Sequence, residues 1–277
     1  GRPPRQASRP AAARRASLLT LDHLVLKLVV TPVLIGAATL AGRRWGESVG
    51  GWLVGLPLTT GPVAFFIALG QGEAFAATAA VGSLGGAAAE AAFCVCYGRL
   101  ASRVGWPLGL LAGTGAFAAV GAALQALAPG PLTALVTGVA ALALALRLVP
   151  AATGGAAAVP PPRGDLPARM VLATAVVLVI TALAPRLGGR LSGLLATYPL
   201  FAAILAGFAH RLQGAAAAVS VLRGLLFGLF AFVAFCFVLG VGLIPLGIAG
   251  AFIAATAAAL AVQALSLWRL TGAPRHR

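Results

Sequence analysis

The sequence predicts an all-α integral membrane protein of about nine transmembrane helices, arranged as two inverted four-helix repeats joined by a linking helix. Three observations predict this fold: the composition, the length of the apolar segments and an internal repeat. Of the 277 residues, 60% are hydrophobic and 9% are charged, whereas soluble domains carry roughly 25% charged residues. The mean hydropathy is +1.00. So few charges could not cover a soluble surface, and the chain is expected to lie in a membrane.

The apolar segments are long enough to cross a bilayer. A spanning helix needs about 20 predominantly apolar residues, and nine segments approach or reach that length. Gly- and Ala-rich sequence blurs their ends, so eight or ten spans remain alternatives. The predicted spans are 24–42, 50–70, 74–97, 105–127, 131–149, 170–185, 191–210, 216–239 and 243–267.

The second half of the chain repeats the first with a shift of 142 residues. Ala coincidences mean little in an Ala-rich chain, but Pro, Gln, Phe, Cys and Arg residues paired in one register indicate a duplication. The matched pairs include Arg44/Arg186, Gly51/Gly193, Pro57/Pro199, Gln71/Gln213, Phe93/Phe235, Cys94/Cys236 and Gly98/Gly240.

The number of spans sets the relative orientation of the two copies. Each copy holds four spans, and segment 131–149 has no counterpart, so five crossings separate the starts of the copies. An odd number turns the second copy upside down. If 50–70 and 191–210 were re-entrant hairpins instead, four crossings would separate the copies and the repeats would be parallel. Inverted repeats are a recurring plan of secondary transporters, which bind substrate near the bilayer midplane.

Five units follow along the chain. No cleavable signal peptide is expected, because the first apolar segment continues to spanning length. The units are a basic disordered N-terminal tail (1–20), the first four-span repeat (21–127), the linking helix with a basic loop (128–169), the second four-span repeat (170–270) and a basic C-terminal tail (271–277).

The formal net charge of +15 lies mainly in the N-terminal tail and in short loops. Basic residues beside membrane spans set topology and contact anionic headgroups, so membrane lipids are expected partners and nucleic acid is not. Nearly all basic residues are Arg, and Ala and Gly are abundant, which is typical of a GC-rich bacterial genome. We therefore expect a multi-pass protein of the bacterial plasma (inner) membrane. Discounting the tail favours an external N-terminus and an internal C-terminus; counting the tail leaves the two sides nearly even.

One segment carries a family resemblance. Residues 192–201, SGLLATYPLF, are followed by Ala209 and His210. This pattern resembles the small four-span bacterial inner-membrane proteins of the GlpM type, in which a Gly-Leu and Pro-Leu-Phe run precedes an Ala-His pair. The first copy departs from it at Thr59 and Ala68. The resemblance implies a membrane protein linked loosely to cell-envelope polysaccharide production, without catalytic residues. The general plan also resembles the drug/metabolite transporter superfamily, where four-span units pair in opposite orientations.

Two charged residues lie deep in the predicted spans, Glu90 and Arg223. Such a charge costs about 2.5–3.5 kcal/mol on insertion and marks a functional candidate. In inverted repeats both would lie about 7 Å from the midplane on the same side, where they could pair. The pair is either a structural salt bridge, or Glu90 couples protons and Arg223 anchors an anionic substrate. His210, beside Arg211 at a helix end, is expected to be a solvated interfacial residue.

Helix-breaking residues interrupt two equivalent spans. Irregular backbone is tolerated at membrane depth only where protein or a water-filled cavity satisfies it, so hydroxyl groups beside the breaks are candidate ligands; a simple proline kink is the alternative. The predicted helix breaks or hinges are Pro57, Pro62 and Pro199. The predicted substrate-binding or coupling residues are Glu90, Arg223, Thr59, Thr60, Thr197 and Tyr198.

The three cysteines follow neither a disulfide framework nor a zinc-site spacing, and no nucleophile has a plausible base. We expect no enzyme, metal or cofactor. The predicted function is a secondary transporter or flippase that moves a small or amphipathic solute, which can be lipid-linked, by alternating access. The alternative is a non-transporting accessory or scaffold protein of cell-envelope polysaccharide machinery. The expected partners are an unknown small solute, protons and lipids, and a homodimer is compatible with the sequence.

Overall fold

The computed structural model describes residues 29–58, 60–151, 162 and 164–272, without the side chains of 180–181, 183–196 and 267–272. Regular structure in this part of the chain is entirely helical. The helices are α1 (29–45), α2 (Glu47–Val54), α3 (Thr60–Gln71), α4 (Glu73–Leu100), α5 (Trp106–Leu127), α6 (Pro131–Leu148), α7 (Asp165–Ala196), α8 (Leu200–Gln213) and α9 (Ala215–Gly272).

Four of these helices are long and apolar enough to cross a membrane. They are α4, α5, α6 and the Ala215–Ser266 part of α9, and α3 and α8 are shorter apolar helices. Their length and composition are those of a membrane protein.

Helix α9 reverses direction at Gly247, whose φ of 67° and ψ of 175° are not helical. Glycine adopts such a conformation at little cost. Across the turn Gly242 packs against Ala251, and the rings of Phe235 and Phe252 are 6.2 Å apart. Residues 215–246 and 248–272 therefore form a helical hairpin, called here the first and second arms of α9. The turn falls a few residues after the boundary predicted between spans 216–239 and 243–267.

The two spans predicted to contain breaks are both interrupted. The first break lies between Val54, where α2 ends, and Thr60, where α3 begins; the second lies between Ala196 and Leu200. Pro57 lies within the first break and Pro199 within the second. Pro62 lies instead in the first turn of α3, where a residue without an N–H group costs the helix nothing. Thr59 lies outside the described residues.

Helix boundaries recur with the same 142-residue shift as the sequence. Gly72 precedes α4 and Gly214 precedes α9, with φ values of 90° and 92°. Gly105 precedes α5, and its equivalent Gly247 precedes the second arm of α9. These helix starts therefore share the 142-residue spacing of the matched sequence positions.

Helix α4 packs against its own equivalent, the first arm of α9. Gly240 faces Val81, whereas Gly98 faces Leu222. The start of α4 thus contacts the end of the first arm of α9, and the end of α4 contacts its start. The two helices therefore run in opposite directions. Ala89 and its equivalent Ala231, both fully buried, lie near the middle of this contact.

Each break packs against a helix of the other copy. A side chain at Gly55, at the end of α2, would overlap the backbone of Gly228 in α9. At the equivalent positions, Thr197 in the second break packs against Gly86 of α4. The two contacts are reciprocal. With the 142-residue shift, Gly55 corresponds to Thr197 and Gly228 corresponds to Gly86. Small residues at such crossings let helix backbones approach closely.

Candidate functional site

The second break faces one side of α4. Gly86, Glu90 and Phe93 are spaced so that they share a helix face. Gly86 contacts the Thr197 side chain, and the Phe93 ring packs edge-on against Tyr198 with centroids 6.3 Å apart. Glu90 lies between these two contacts and is therefore directed toward the break, at the boundary between the two copies.

Glu90 has neither a hydrogen bond nor an ion pair with the part of the chain that the structure describes. The residue is half-buried, and Cys94 and Cys236 lie near it. Its equivalent in the second copy is Phe232, so only one copy carries the carboxylate. An acidic group without a partner in apolar surroundings is costly as an anion, and it can lower that cost by binding a proton or a cation.

Tyr198 joins the second break to α5. Its hydroxyl lies 2.9 Å from the Thr114 hydroxyl, and its ring is edge-on to Phe117, with centroids 5.4 Å apart. Thr114 was not among the predicted site residues. The sequence does hold one signal for this residue: Thr114 matches Thr256 in the 142-residue repeat.

A second polar contact lies nearer the end of α4. The hydroxyl of Tyr97 lies 3.1 Å from Nδ1 of His210, and the two rings pack edge-on. Tyr97 is fully buried. His210 is thus not simply a solvated interfacial residue, because it links α8 to the aromatic face of α4. Sequence gives no local signal for this contact, since the two residues lie 113 positions apart.

Arg223 binds the end of the linking helix. Its Nη1 donates hydrogen bonds to the carbonyls of Leu146 (3.1 Å) and Val149 (2.9 Å), and Nε of Arg99 donates to that of Leu148 at 3.1 Å. Carbonyls in the last turn of a helix have no partner within the helix. The two arginines therefore cap α6 and attach it to α4 and α9.

The pair expected between Glu90 and Arg223 does not form, because the two helices meet at a different register. Gly98 faces Leu222, so Arg223 lies level with about residue 97 of α4. At 1.5 Å per residue this is about 10 Å along the helix from Glu90. The prediction assumed that spans 74–97 and 216–239 meet at their centres, which places both charges at one depth. In the structure the two helices are shifted along each other relative to that alignment.

Substitution of Arg223 by Met is expected to destabilise the fold by about 2 kcal/mol, because hydrogen bonds from a charged donor contribute about 1.5–3 kcal/mol. Thermal unfolding in detergent should show a lower Tm. Arg147→Met is the matched control: Arg147 is on the same end of α6, but is exposed and has no hydrogen bond or ion pair among the described residues. Equal Tm values for the two variants would contradict the capping role.

Three charged residues, of which Asp165 and Arg169 are buried, form a network that sequence reasoning missed. Asp165 accepts hydrogen bonds from Arg43 Nη2 (2.8 Å) and Arg169 Nε (3.0 Å). The side chains of Asp165 and Arg169 are 1% and 3% exposed, and the Arg169 guanidinium lies 4.9 Å from the centroid of the Phe208 ring. The network joins α1, α7 and α8. With only five acidic residues in the chain, the spacing of Asp165 and Arg169 could have indicated it.

The first break is apolar where the structure describes it. Thr60 begins α3, and a small pocket beside the break is lined by Leu34, Ala38, Leu53, Val54, Leu56, Leu58 and Phe201. Of the predicted site residues, the structure thus brings together Glu90, Thr197 and Tyr198, and it places Arg223 elsewhere.

The described part of the chain holds no group of three or more His, Cys, Asp or Glu side chains able to bind a metal ion. Comparison with protein-family models, curated proteins and solved structures gives no match.

Proposed function

We propose that the chain is a secondary transporter or flippase of the bacterial plasma membrane that moves a small or amphipathic solute by alternating access. The observation that carries this proposal is the position of Glu90: it has no partner among the described residues, and it lies on the face of α4 whose Gly86 and Phe93 contact the second break. Interrupted helices and boundaries between repeats are where secondary transporters bind substrates and coupling ions. Glu90 would bind and release the proton that moves with the solute.

The proposed architecture has about nine spans and two inverted repeats. Two contacts support inversion: α4 and the first arm of α9 run in opposite directions, and the two breaks make reciprocal contacts through Gly55 with Gly228 and Thr197 with Gly86. Two copies that face each other across such an axis can exchange conformations by rocking. One copy then opens toward one side of the membrane as the other closes.

The residues around the second break have different proposed roles in transport. Tyr198 and Thr114 offer adjacent hydroxyls that can exchange their mutual hydrogen bond for bonds to a solute. Phe93 and Phe117 hold the Tyr198 ring from two sides. The Tyr97 contact with His210 lies farther along α4, where it would close a solute path on that side.

Flux in proteoliposomes containing a pH-sensitive dye tests this proposal, with candidate solutes added outside and internal pH as the readout. Thr114→Val and Tyr198→Phe are each expected to reduce the initial rate about 2- to 10-fold, the effect of losing one hydrogen bond. Thr256→Val is the matched control, because Thr256 is the repeat equivalent of Thr114 and is exposed. A Thr256→Val effect as large as that of Thr114→Val would contradict a site at the second break.

The second candidate is a non-transporting accessory or scaffold protein of cell-envelope polysaccharide machinery, in keeping with the GlpM-type resemblance. It is favoured by the structural use of Arg223 and Arg99 as helix caps and by close backbone packing at Gly55 and Gly228. Folded wild-type protein that moves neither protons nor any tested solute would favour this candidate.

A further inference from the structure

The arginine side chains that the structure describes all lie at one end of the helix bundle, called here the basic end. Arg43 of α1 pairs with Asp165 of α7 there. Tyr97 and His210 bring the ends of α4 and α8 together, and Arg99 joins α4 to the end of α6. The arginines gathered at this end are Arg43, Arg44, Arg99, Arg103, Arg147, Arg169, Arg211 and Arg223.

The opposite end has a different charge. Glu73, at the start of α4, lies near the turn at Gly247, and the loop 128–130 between α5 and α6 is at the same level, because α5 runs back along α4. Of the side chains described, no Arg or Lys lies at this end. Among the described side chains, the basic residues therefore lie at one end, although the order of all basic residues along the sequence left the division nearly even.

Four arginines of the basic end are exposed and make no hydrogen bond or ion pair with the described residues. These rim arginines are Arg44, Arg103, Arg147 and Arg211. The two acidic residues that the structure describes at this end are already engaged: Asp165 by two arginines, and Glu47 by the Gln213 amide at 2.9 Å. The rim arginines thus present positive charge that the described part of the protein does not compensate.

We propose that the rim arginines bind the phosphates of anionic phospholipid headgroups, with the basic end facing the cytoplasm. Guanidinium groups match phosphate oxygens in geometry and charge, and the cytoplasmic leaflet attracts basic residues next to a membrane span. Trp45 and Trp106 are exposed at the same end, as interfacial anchors are, and Arg44 lies over the Trp45 ring at 5.7 Å. From Arg43 at the basic end, the described part of α1 then runs back toward the external side at residue 29. The assignment does not depend on transport.

Cysteine labelling in intact cells tests the orientation. Cys94, Cys96 and Cys236 are first replaced by Ala, and single cysteines are placed at Ser102, in the exposed loop of the basic end, or at Gly130, where a side chain meets nothing. A membrane-impermeant maleimide should label Gly130→Cys in intact cells and Ser102→Cys only after permeabilisation. The reverse pattern would overturn the proposal.

Fluorescence quenching by brominated lipids tests the headgroup contact. In vesicles of equal bromine content, brominated phosphatidylglycerol should quench tryptophan about twofold more than brominated phosphatidylcholine, because the anionic headgroup is enriched at the rim. The preference should vanish when the four rim arginines are replaced by Gln. Equal quenching of the wild-type chain by both lipids would overturn the proposal. Loss of the preference on adding millimolar inorganic phosphate at constant ionic strength would assign the site to free anions instead.

Discussion

Glu90→Gln is expected to abolish the proton-coupled flux proposed above, with a loss of at least about 100-fold in the initial rate, a typical contribution of a group that transfers protons. Gln has nearly the same size and shape but cannot bind and release a proton at neutral pH. Because Glu90 makes no hydrogen bond or ion pair with the described residues, its neutral replacement should leave the fold intact. The measurement is internal acidification of proteoliposomes, together with Tm in detergent.

Two comparisons separate a coupling role from a structural one. Glu73→Gln, at the other end of α4, should leave the rate unchanged. Solute exchange without net proton movement, measured by counterflow, should persist in Glu90→Gln, because only the coupled step needs the titrating group. Undiminished acidification by Glu90→Gln would remove the carboxylate from the mechanism, and loss of counterflow together with a lower Tm would indicate damage to the fold.

Asp165→Asn is expected to destabilise the fold by about 3–5 kcal/mol, the effect of removing one partner of a buried ion pair. The substitution leaves the Arg169 guanidinium, 3% exposed, without its counter-charge. In a chain of this size the Tm should fall by about 10 °C. A thiol-reactive dye can follow unfolding, since Cys94 and Cys236 are buried in the folded chain.

Variants of the two arginines provide the controls. Arg43→Gln should cost less than about 1 kcal/mol, because the Arg43 side chain is 32% exposed and exposed ion pairs contribute little. The double variant Asp165→Asn, Arg169→Met should recover part of the lost stability, because it removes the unpaired buried charge. A double variant less stable than Asp165→Asn would show that Arg169 acts through packing on Phe208 rather than through its charge.

Local signals predicted the helical fold and the positions of the interruptions. Pro57 and Pro199 lie where the chain leaves the helical conformation, because proline lacks an N–H group and restricts the preceding residue. Gly72 and Gly214 precede helices in a backbone conformation that glycine adopts readily. Each of these effects acts within a few residues, so one segment of sequence is enough to reveal it.

The contacts of the candidate site could not be obtained in this way. Whether Glu90 and Arg223 meet depends on how far one helix slides along the other, which is decided by packing at positions such as Gly98 and Gly240. The partners of Tyr198 and Tyr97 lie 84 and 113 residues away. A threonine directed at a tyrosine and one directed at lipid look alike in the sequence, and for this reason Thr114 was missed.

The contact of α2 with α9 limits which substitutions the chain can accept. In lipid, attraction between helices comes from close contact and not from the exclusion of water, so the backbone separation at Gly55 and Gly228 determines how strongly the two copies hold together. One added methyl group at either position would meet the other backbone. Positions on the outer surface such as Leu111 and Ile253, both largely exposed, should accept other apolar side chains. Neutral substitutions should therefore accumulate on the outer surface, whereas Gly55 and Gly228 should remain glycine.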